Sequence, residues 1–313
     1  MRKFFDTVWR VIKFPFVLIY NILAFPFRKI QQFLNFLNTE PQEHQLLDTL
    51  IDLTKEADAR EDFIMHLEAF RMHLLRSIVV LALFVIGAFW VSESVMSFLA
   101  APVGGLKELQ AIQVTEEIGV FMRVAMTVGI AAAFPYIAFE LWYFAAAGLR
   151  PYEKKMGLVG IPFASILFLL GMAFTYYVML PAALPFLGSF TAISQFWSAK
   201  EYFGFVTGLM FWIGIFFEFP LVIYVLTSIG LVQPKFLADQ WRLAVVIISV
   251  LAAAITPTVD PINMGLVMAP MTILYFISIG LSYIAASIRV KRNAEKAKAK
   301  NDSPATVIDD RLG

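Results

Sequence analysis

Cysteine is missing from the 313 residues of this chain, and only three residues are histidine. The sequence therefore excludes disulfides, thiolate metal sites and a cysteine nucleophile. Charged residues are scarce as well, at 16% of the chain, whereas an average soluble domain has about 25%. The net charge is only +1, so the whole-chain charge does not indicate a nucleic-acid partner.

Apolar residues dominate the chain instead. Hydrophobic residues make up 59% of it, and the mean hydropathy is +0.73. A soluble protein of this length could not bury so much apolar surface behind so few charges, so the sequence predicts an integral membrane protein. The charges are also unevenly placed, because residues 77–288 carry only 18 of the 49. We therefore place the membrane domain in this middle part.

Runs of about 20 apolar residues in this part predict an all-α, polytopic fold with six transmembrane helices. The predicted spans are 77–98, 118–146, 157–180, 202–229, 243–255 and 262–288. Four spans contain a proline, and internal prolines favour kinks. These are Pro135, Pro162, Pro220 and Pro270. Kinked helices predict a concave wall rather than a straight bundle.

Lysine and arginine are concentrated in alternate loops, which predicts the orientation. The basic loops precede span one, join spans two and three, join spans four and five, and follow span six. Their residues include Arg71, Arg76, Arg150, Lys154, Lys155, Lys235 and Arg242. The positive-inside rule then places both termini in the cytoplasm. Six spans agree with this, because an even number of crossings leaves both termini on the same side.

The two ends of the chain differ from the membrane domain, which we place at 63–290. Residues 1–37 are aromatic and basic, and their apolar run is shorter than the length that a transmembrane helix needs. We interpret them as an interfacial segment on the cytoplasmic leaflet, with a seventh span as the alternative. Residues 38–62 are an acidic linker, and 291–313 are predicted to be a basic, partly disordered cytoplasmic tail.

Two common catalytic motifs are missing from the sequence. It contains neither a phosphate-binding loop of the G-x-x-x-x-G-K-[ST] type nor an H-E-x-x-H motif. His66 and His73 are seven residues apart on one helix face, but a metal site would need further ligands, so a polar helix surface is the preferred interpretation. We therefore predict that the protein is not an enzyme and has neither a metal nor a cofactor.

Charges inside spans are costly and are functional candidates by default. Glu218 lies in the middle of span four, where it is either protonated or faces a wet cavity. Glu140 lies near the cytoplasmic end of span two, where an ordinary interfacial residue is the alternative. Thr256, Asp260 and Asn263 surround the tight loop between spans five and six. They serve either turn formation and capping or a polar docking patch.

The cytoplasmic edge carries two further carboxylates. Glu68 is three residues before Arg71 on the helix entering span one, and Glu153 lies in the loop after span two. Two carboxylates at one membrane edge can bind guanidinium groups through bidentate, charge-assisted hydrogen bonds. Exposed loop charges with no such role are the alternative for each residue taken alone.

The motifs taken in order resemble the TatC family, the multi-spanning subunit of the twin-arginine, Sec-independent protein translocase. The resemblance covers about 63–290. It rests on the sequences His66-Leu67-Glu68-Ala69-Phe70-Arg71, Phe134-Pro135, Glu140-Leu141-Trp142-Tyr143-Phe144, Gly148-Leu149, Glu153-Lys154-Lys155, Phe217-Glu218-Phe219-Pro220 and Thr256-Pro257 with Asp260. The glutamate usual in the first motif is replaced by Ala69, one residue after Glu68.

The resemblance implies a receptor in the cytoplasmic (inner) membrane for signal peptides with consecutive arginines. It implies that Glu153, Glu68, Arg71 and His66 bind the signal peptide. Glu218, Glu140, Thr256, Asn263 and Asp260 would then be embedded polar or partner-docking residues. The implied partners are TatA- and TatB-type single-span proteins, folded cargo with its signal peptide, membrane lipids and further copies of the chain, with the proton motive force as the energy source.

Two other functions stay open at this point. One is a proton-coupled secondary transporter of a small solute that uses Glu218; it predicts an inverted repeat, which the sequence does not clearly contain. The other is a membrane scaffold that transports nothing.

Overall fold

The structure, a computed structural model, describes residue 31 and residues 33–39, 57–189, 197–256 and 261–301. The α-helices in these ranges are α1 (Ala57–Ala88), α2 (Ser92–Ala100), α3 (Glu116–Ala146), α4 (Pro151–Phe174), α5 (Leu180–Ser189), α6 (Ala199–Phe217), α7 (Phe219–Ile229), α8 (Pro234–Asp239), α9 (Trp241–Ile255) and α10 (Pro261–Asn301). A π-helical turn, Thr175–Met179, joins α4 to α5. A two-residue parallel ladder pairs β1 (Leu109–Gln110) with β2 (Trp197–Ser198).

Helices of membrane-spanning length confirm the predicted all-α, polytopic fold. Among the described residues, five apolar stretches are long enough to cross a membrane, namely Leu67–Ala88, Glu116–Ala146, Pro151–Gly188, Ala199–Ile229 and Pro261–Glu295. Helix α9 is also apolar but has only 15 residues. It is therefore about 22 Å long, shorter than a hydrocarbon core of about 30 Å. The number of crossings and the side of the termini stay predictions.

The first predicted span, 77–98, is wrong in its bounds. Helix α1 ends at Ala88, and α2 begins only at Ser92. The amides of the three intervening residues bond to carbonyls three positions back, which tightens and ends the helix. The buried hydroxyl of Ser92 then donates to the Ala88 carbonyl at 2.8 Å and satisfies a helix-end acceptor.

The fourth predicted span is interrupted at its centre. Helix α6 ends at Phe217, and α7 begins at Phe219 with Pro220 in its first turn. Pro220 has no N–H to donate, so it is tolerated at a helix start but not in an interior. The break therefore falls at Glu218. The helices continue through Pro135, Pro162 and Pro270.

Packing divides the chain into two compact units, Met1–Ala69 with Trp142–Leu158 and Phe70–Leu141 with Val159–Gly313. In the second unit, α4 and α6 meet at two glycines. A Cβ on Gly171 would lie 2.8 Å from the Cα of Gly214, and one on Gly214 would lie 2.8 Å from the ring of Phe168. That ring stacks on Phe134 at 4.2 Å between centroids and is 1% exposed.

Some predictions fall largely outside the described residues. Only residues 31 and 33–37 of the predicted interfacial extension and residues 38, 39 and 57–62 of the acidic linker are described. Helix α10 continues through the basic residues to Asn301, and residues 302–313 lie outside the description.

Candidate functional site

Glu153 lies in the first turn of α4, in the first unit. Pro151 is the first residue of this helix, where its missing N–H has no cost. The Glu153 Oε2 atom accepts a hydrogen bond from the Arg150 amide at 3.0 Å, as in the N3 half of a capping box. The positive end of the helix dipole also favours a carboxylate here. The carboxylate is partly exposed, and within the described ranges its Oε1 atom accepts no hydrogen bond.

The other predicted signal-binding residues are on α1. Glu68 is exposed in the first unit, and no described residue forms a hydrogen bond or ion pair with it. Arg71 is exposed in the second unit. The side chain of His66 lies outside the described residues. The structure therefore gives Glu68 no bond to Glu153, and the assignment of these three residues stays a prediction.

Glu140 is held by two side chains inside the second unit. Its Oε2 atom lies 2.5 Å from Nδ1 of His73, and its Oε1 atom accepts from the Tyr136 hydroxyl at 2.6 Å. The residue is only 4% exposed. The prediction of a polar helix surface at His73 is wrong, because this histidine faces α3 and bonds to a buried carboxylate. Glu140 thus joins α1 to α3.

Glu218 lies between α6 and α7. Its amide donates to the Ile215 carbonyl at 3.0 Å, and its carbonyl accepts from the Val222 amide at 2.9 Å. The backbone turn is therefore complete without the side chain. The Oε1 atom of Glu218 is buried and has no hydrogen-bond partner among the described residues. A carboxyl oxygen in this state is costly in an apolar span, so it is a candidate for a polar partner.

The loop between α9 and α10 is only partly described. Thr256 is the C-cap residue directly after α9. It is 6% exposed and donates from its hydroxyl to the Ala252 carbonyl at 3.0 Å. This bond supports the capping interpretation of Thr256. Asn263 is 2% exposed in the first turn of α10. Asp260 lies outside the described residues.

Glu116 is a site that the sequence analysis missed. Its Oε2 atom accepts from the amides of Ile112 and Gln113 at 2.8 and 3.1 Å, and its Oε1 atom accepts from the Ser198 hydroxyl and the Lys200 amide at 2.8 and 2.7 Å. The carboxylate therefore ties the segment before α3 to the start of α6, beside the β1–β2 ladder. No grouping of three metal-ligating side chains occurs in the described part of the chain.

A family model and curated relatives that are similar to this chain all point to one protein family. A family model described as Sec-independent protein translocase protein (TatC) matches residues 65–270. The Sec-independent protein translocase protein TatC of Deinococcus radiodurans is 34% identical over 228 residues, 70% of this chain and 84% of the relative. The TatC protein of Carboxydothermus hydrogenoformans is 33% identical over 236 residues, 74% of this chain and 96% of the relative.

A solved structure agrees with these sequence matches. The crystal structure of the twin arginine translocase receptor TatC is similar with a TM-score of 0.64 and 32% identity. The similarity covers 70% of this chain and 99% of that chain. The predicted site residues, from His66 to Asn263, all fall within the segment that matches the family model.

Proposed function

Since the chain belongs to the TatC family of Sec-independent protein translocase proteins, we propose that it is the core receptor subunit of a twin-arginine translocation system. It binds signal peptides with consecutive arginines at its cytoplasmic face. With TatA- and TatB-type partners it exports folded proteins, driven by the proton motive force. The observation that carries this proposal is the family match over residues 65–270, which includes every predicted site residue.

Glu153 is the residue that we assign to the arginines. The Arg150 amide and the helix dipole hold its carboxylate in place, and Oε1 is open to a donor. A guanidinium presents a planar fork of N–H donors that matches a carboxylate, whereas an ammonium does not. A signal peptide with arginines should therefore bind more tightly than one with lysines. Glu68, with Arg71 and His66, is assigned to the same peptide on α1.

The embedded polar residues are assigned to partner docking. Glu218 has a buried carboxyl oxygen without a partner in the described part of the chain, and a polar side chain of a single-span protein would satisfy it. Asn263, Thr256 and Asp260 form the second docking region, although the Thr256 hydroxyl already bonds to the Ala252 carbonyl. Both oxygens of Glu140 are already bonded. We therefore assign Glu140 to holding α1 on α3.

Membership in the TatC family also supports a location in a membrane. The five long apolar helices support a multi-pass membrane protein. We assign it to the inner membrane, with both termini in the cytoplasm, in contact with lipids and with further copies of itself. The work is transport rather than catalysis, so no catalytic residue is assigned.

Complementation tests the proposal against its alternatives. A strain that lacks its multi-spanning export subunit would receive this chain together with a folded reporter behind a twin-arginine signal. Export of the reporter, lost when both arginines become lysine, is expected. A solute transporter or a scaffold would leave the reporter in the cytoplasm, and that outcome would contradict the proposal.

A further inference from the structure

A short segment before the family match packs on the part of the chain that carries Glu153. In the first unit, residues 33–38 are helical and contact the end of α3. The Phe36 ring lies 4.9 Å from the Tyr143 ring, between centroids. The Phe33 ring stacks on Tyr143 at 6.5 Å and meets Trp142 edge-on at 6.2 Å. These aromatic contacts fix one side of the segment.

Lys154 fixes the other side. Its Nζ atom donates to the carbonyl oxygens of Phe36 and Thr39, both at 3.1 Å, and lies 4.3 Å from the centroid of the Phe36 ring. The end of a helical turn offers carbonyls without intrahelical donors, and its dipole favours a cation.

The burial of Lys154 is unusual for its residue type. It is 2% exposed, and no described carboxylate forms an ion pair with it. A buried ammonium without polar partners would be very costly. The carbonyls and the ring of the 33–39 segment are therefore what make this position tolerable. Removing the ammonium in turn leaves the segment with its aromatic contacts as the remaining attachment.

We propose that residues 33–39 are an intramolecular clip and that Lys154 is a positioning residue for signal-peptide binding. Lys154 directly follows Glu153, so fastening the clip orders the helix turn that carries the arginine-binding carboxylate. The inference rests on the proposed function for its consequence, but the clip itself does not. The clip lies outside residues 65–270, so it is an addition to the part of the chain that matches the family.

The expected effect is pre-organisation. A carboxylate that is already ordered loses less conformational entropy when it binds, so releasing the clip should weaken peptide binding. Since Lys154 is 2% exposed and its ammonium donates to two carbonyls, we expect it to make no contact with the peptide. Loss of the ammonium should therefore lower the affinities for the twin-arginine and the twin-lysine peptide by the same factor. Loss of Glu153, which contacts the guanidinium, should instead reduce the preference for arginine.

The test uses the full chain in lipid nanodiscs. Hydrogen exchange of the amides at 33–39 reports on the clip, and fluorescence anisotropy gives the affinities of twin-arginine and twin-lysine peptides. Lys154→Met should raise the exchange rate of these amides about tenfold or more. It should also lower the affinity for each peptide about three- to tenfold. Lys154→Arg should keep most of the protection, because a guanidinium can donate to both carbonyls. Lys155→Met, at the exposed neighbour, is the matched control and should change neither readout.

Phe36→Leu gives a second route to the same release without changing Lys154. It should raise the exchange rate and lower the peptide affinity. The double variant with Lys154→Met should lose no more peptide affinity than the single variant with the larger loss. Unchanged exchange in Lys154→Met would overturn the clip. If exchange at 33–39 rises but the peptide affinity is unchanged or higher, the positioning role of Lys154 is overturned. If Glu153→Gln binds like the unaltered chain, the proposed function fails at this site, while the exchange result still decides the clip.

Discussion

The Nδ1 atom of His73 lies 2.5 Å from Oε2 of Glu140, and this bond attaches α1 to α3 within the second unit. The two side chains are 14% and 6% exposed. Many apolar side chains of α1 point outward, such as Ile78 at 52% and Leu83 at 62% exposed. The polar bond is therefore one of the attachments of α1, and its loss should lower the free energy of unfolding.

Replacing one partner tests this attachment. Among the described residues, His73→Ala leaves the buried Glu140 carboxylate with Tyr136 as its remaining hydrogen-bond donor. We therefore expect a loss of about 2–4 kcal/mol in the free energy of unfolding. Glu140→Ala should cost a similar amount. The double variant should cost clearly less than the two single changes together, with a coupling of at least about 1 kcal/mol. Thermal unfolding in detergent measures all three, and additive losses would contradict the attachment.

Gly157 offers a test of packing in the first unit. A Cβ at this position would overlap Nε1 of the Trp142 indole and lie 2.6 Å from its Cδ1. Gly157→Ala must displace that ring, and we expect a destabilisation of about 1–3 kcal/mol. Trp142→Leu in the same chain should recover part of the loss. The matched control is Gly160→Ala, where nothing lies within 4 Å of the added carbon. Equal stability of the two alanine variants would contradict this packing.

Glu116 should order the two segments that it joins. Glu116→Ala removes the acceptor for the Ile112 and Lys200 amides, so both amides should exchange with solvent at least about tenfold faster. Glu117→Ala is the control, because that neighbouring carboxylate is exposed and forms no hydrogen bond with a residue that the structure describes. Hydrogen exchange followed by mass spectrometry resolves both segments. Similar exchange in the two variants would show that Glu116 does not hold them.

Glu218 should matter for transport more than for recognition. We expect Glu218→Ala to reduce export of a twin-arginine reporter about tenfold or more, with peptide affinity changed by less than about twofold. The reason is that the backbone turn at Glu218 is complete without the carboxylate, so the change removes a polar group rather than the fold. Glu201→Ala, at the exposed start of α6, is the control. Undiminished export by Glu218→Ala would remove this residue from the mechanism.

Hydropathy predicted most of the membrane helices because long apolar runs leave few other structures in a bilayer. The predicted span 118–146 and the observed helix Glu116–Ala146 differ by two residues. The error in span one has a physical reason. Phe89, Trp90 and Val91 are apolar, so composition alone does not distinguish the turn that they form from a continuing helix. The turn is recognised in the structure by amide hydrogen bonds to carbonyls three positions back and by the hydrogen bond of the Ser92 hydroxyl.

The polar contacts were harder to predict than the helices. His73 and Glu140 are 67 positions apart, and Glu116 bonds to an amide 84 positions away. No local pattern pairs residues at such distances. In the sequence, Lys154 contributed as one of the positive charges that predict orientation and as a member of the Glu153-Lys154-Lys155 motif, and neither use indicated its burial. Its burial depends on carbonyls of Phe36 and Thr39, which carry no side-chain signal that a sequence pattern would reveal.

Binding of a twin-arginine signal peptide to Glu153→Gln tests the central claim most directly. The unaltered chain and the variant, each in nanodiscs, would be titrated with one labelled peptide and with its twin-lysine counterpart, and Glu201→Gln would serve as the control. We expect the unaltered chain and the control to prefer arginine, and Glu153→Gln to lose about 1.5–3 kcal/mol of binding free energy, as expected for a hydrogen bond to a charged group, together with most of that preference. Binding of both peptides that is equally strong in all three proteins would contradict the account.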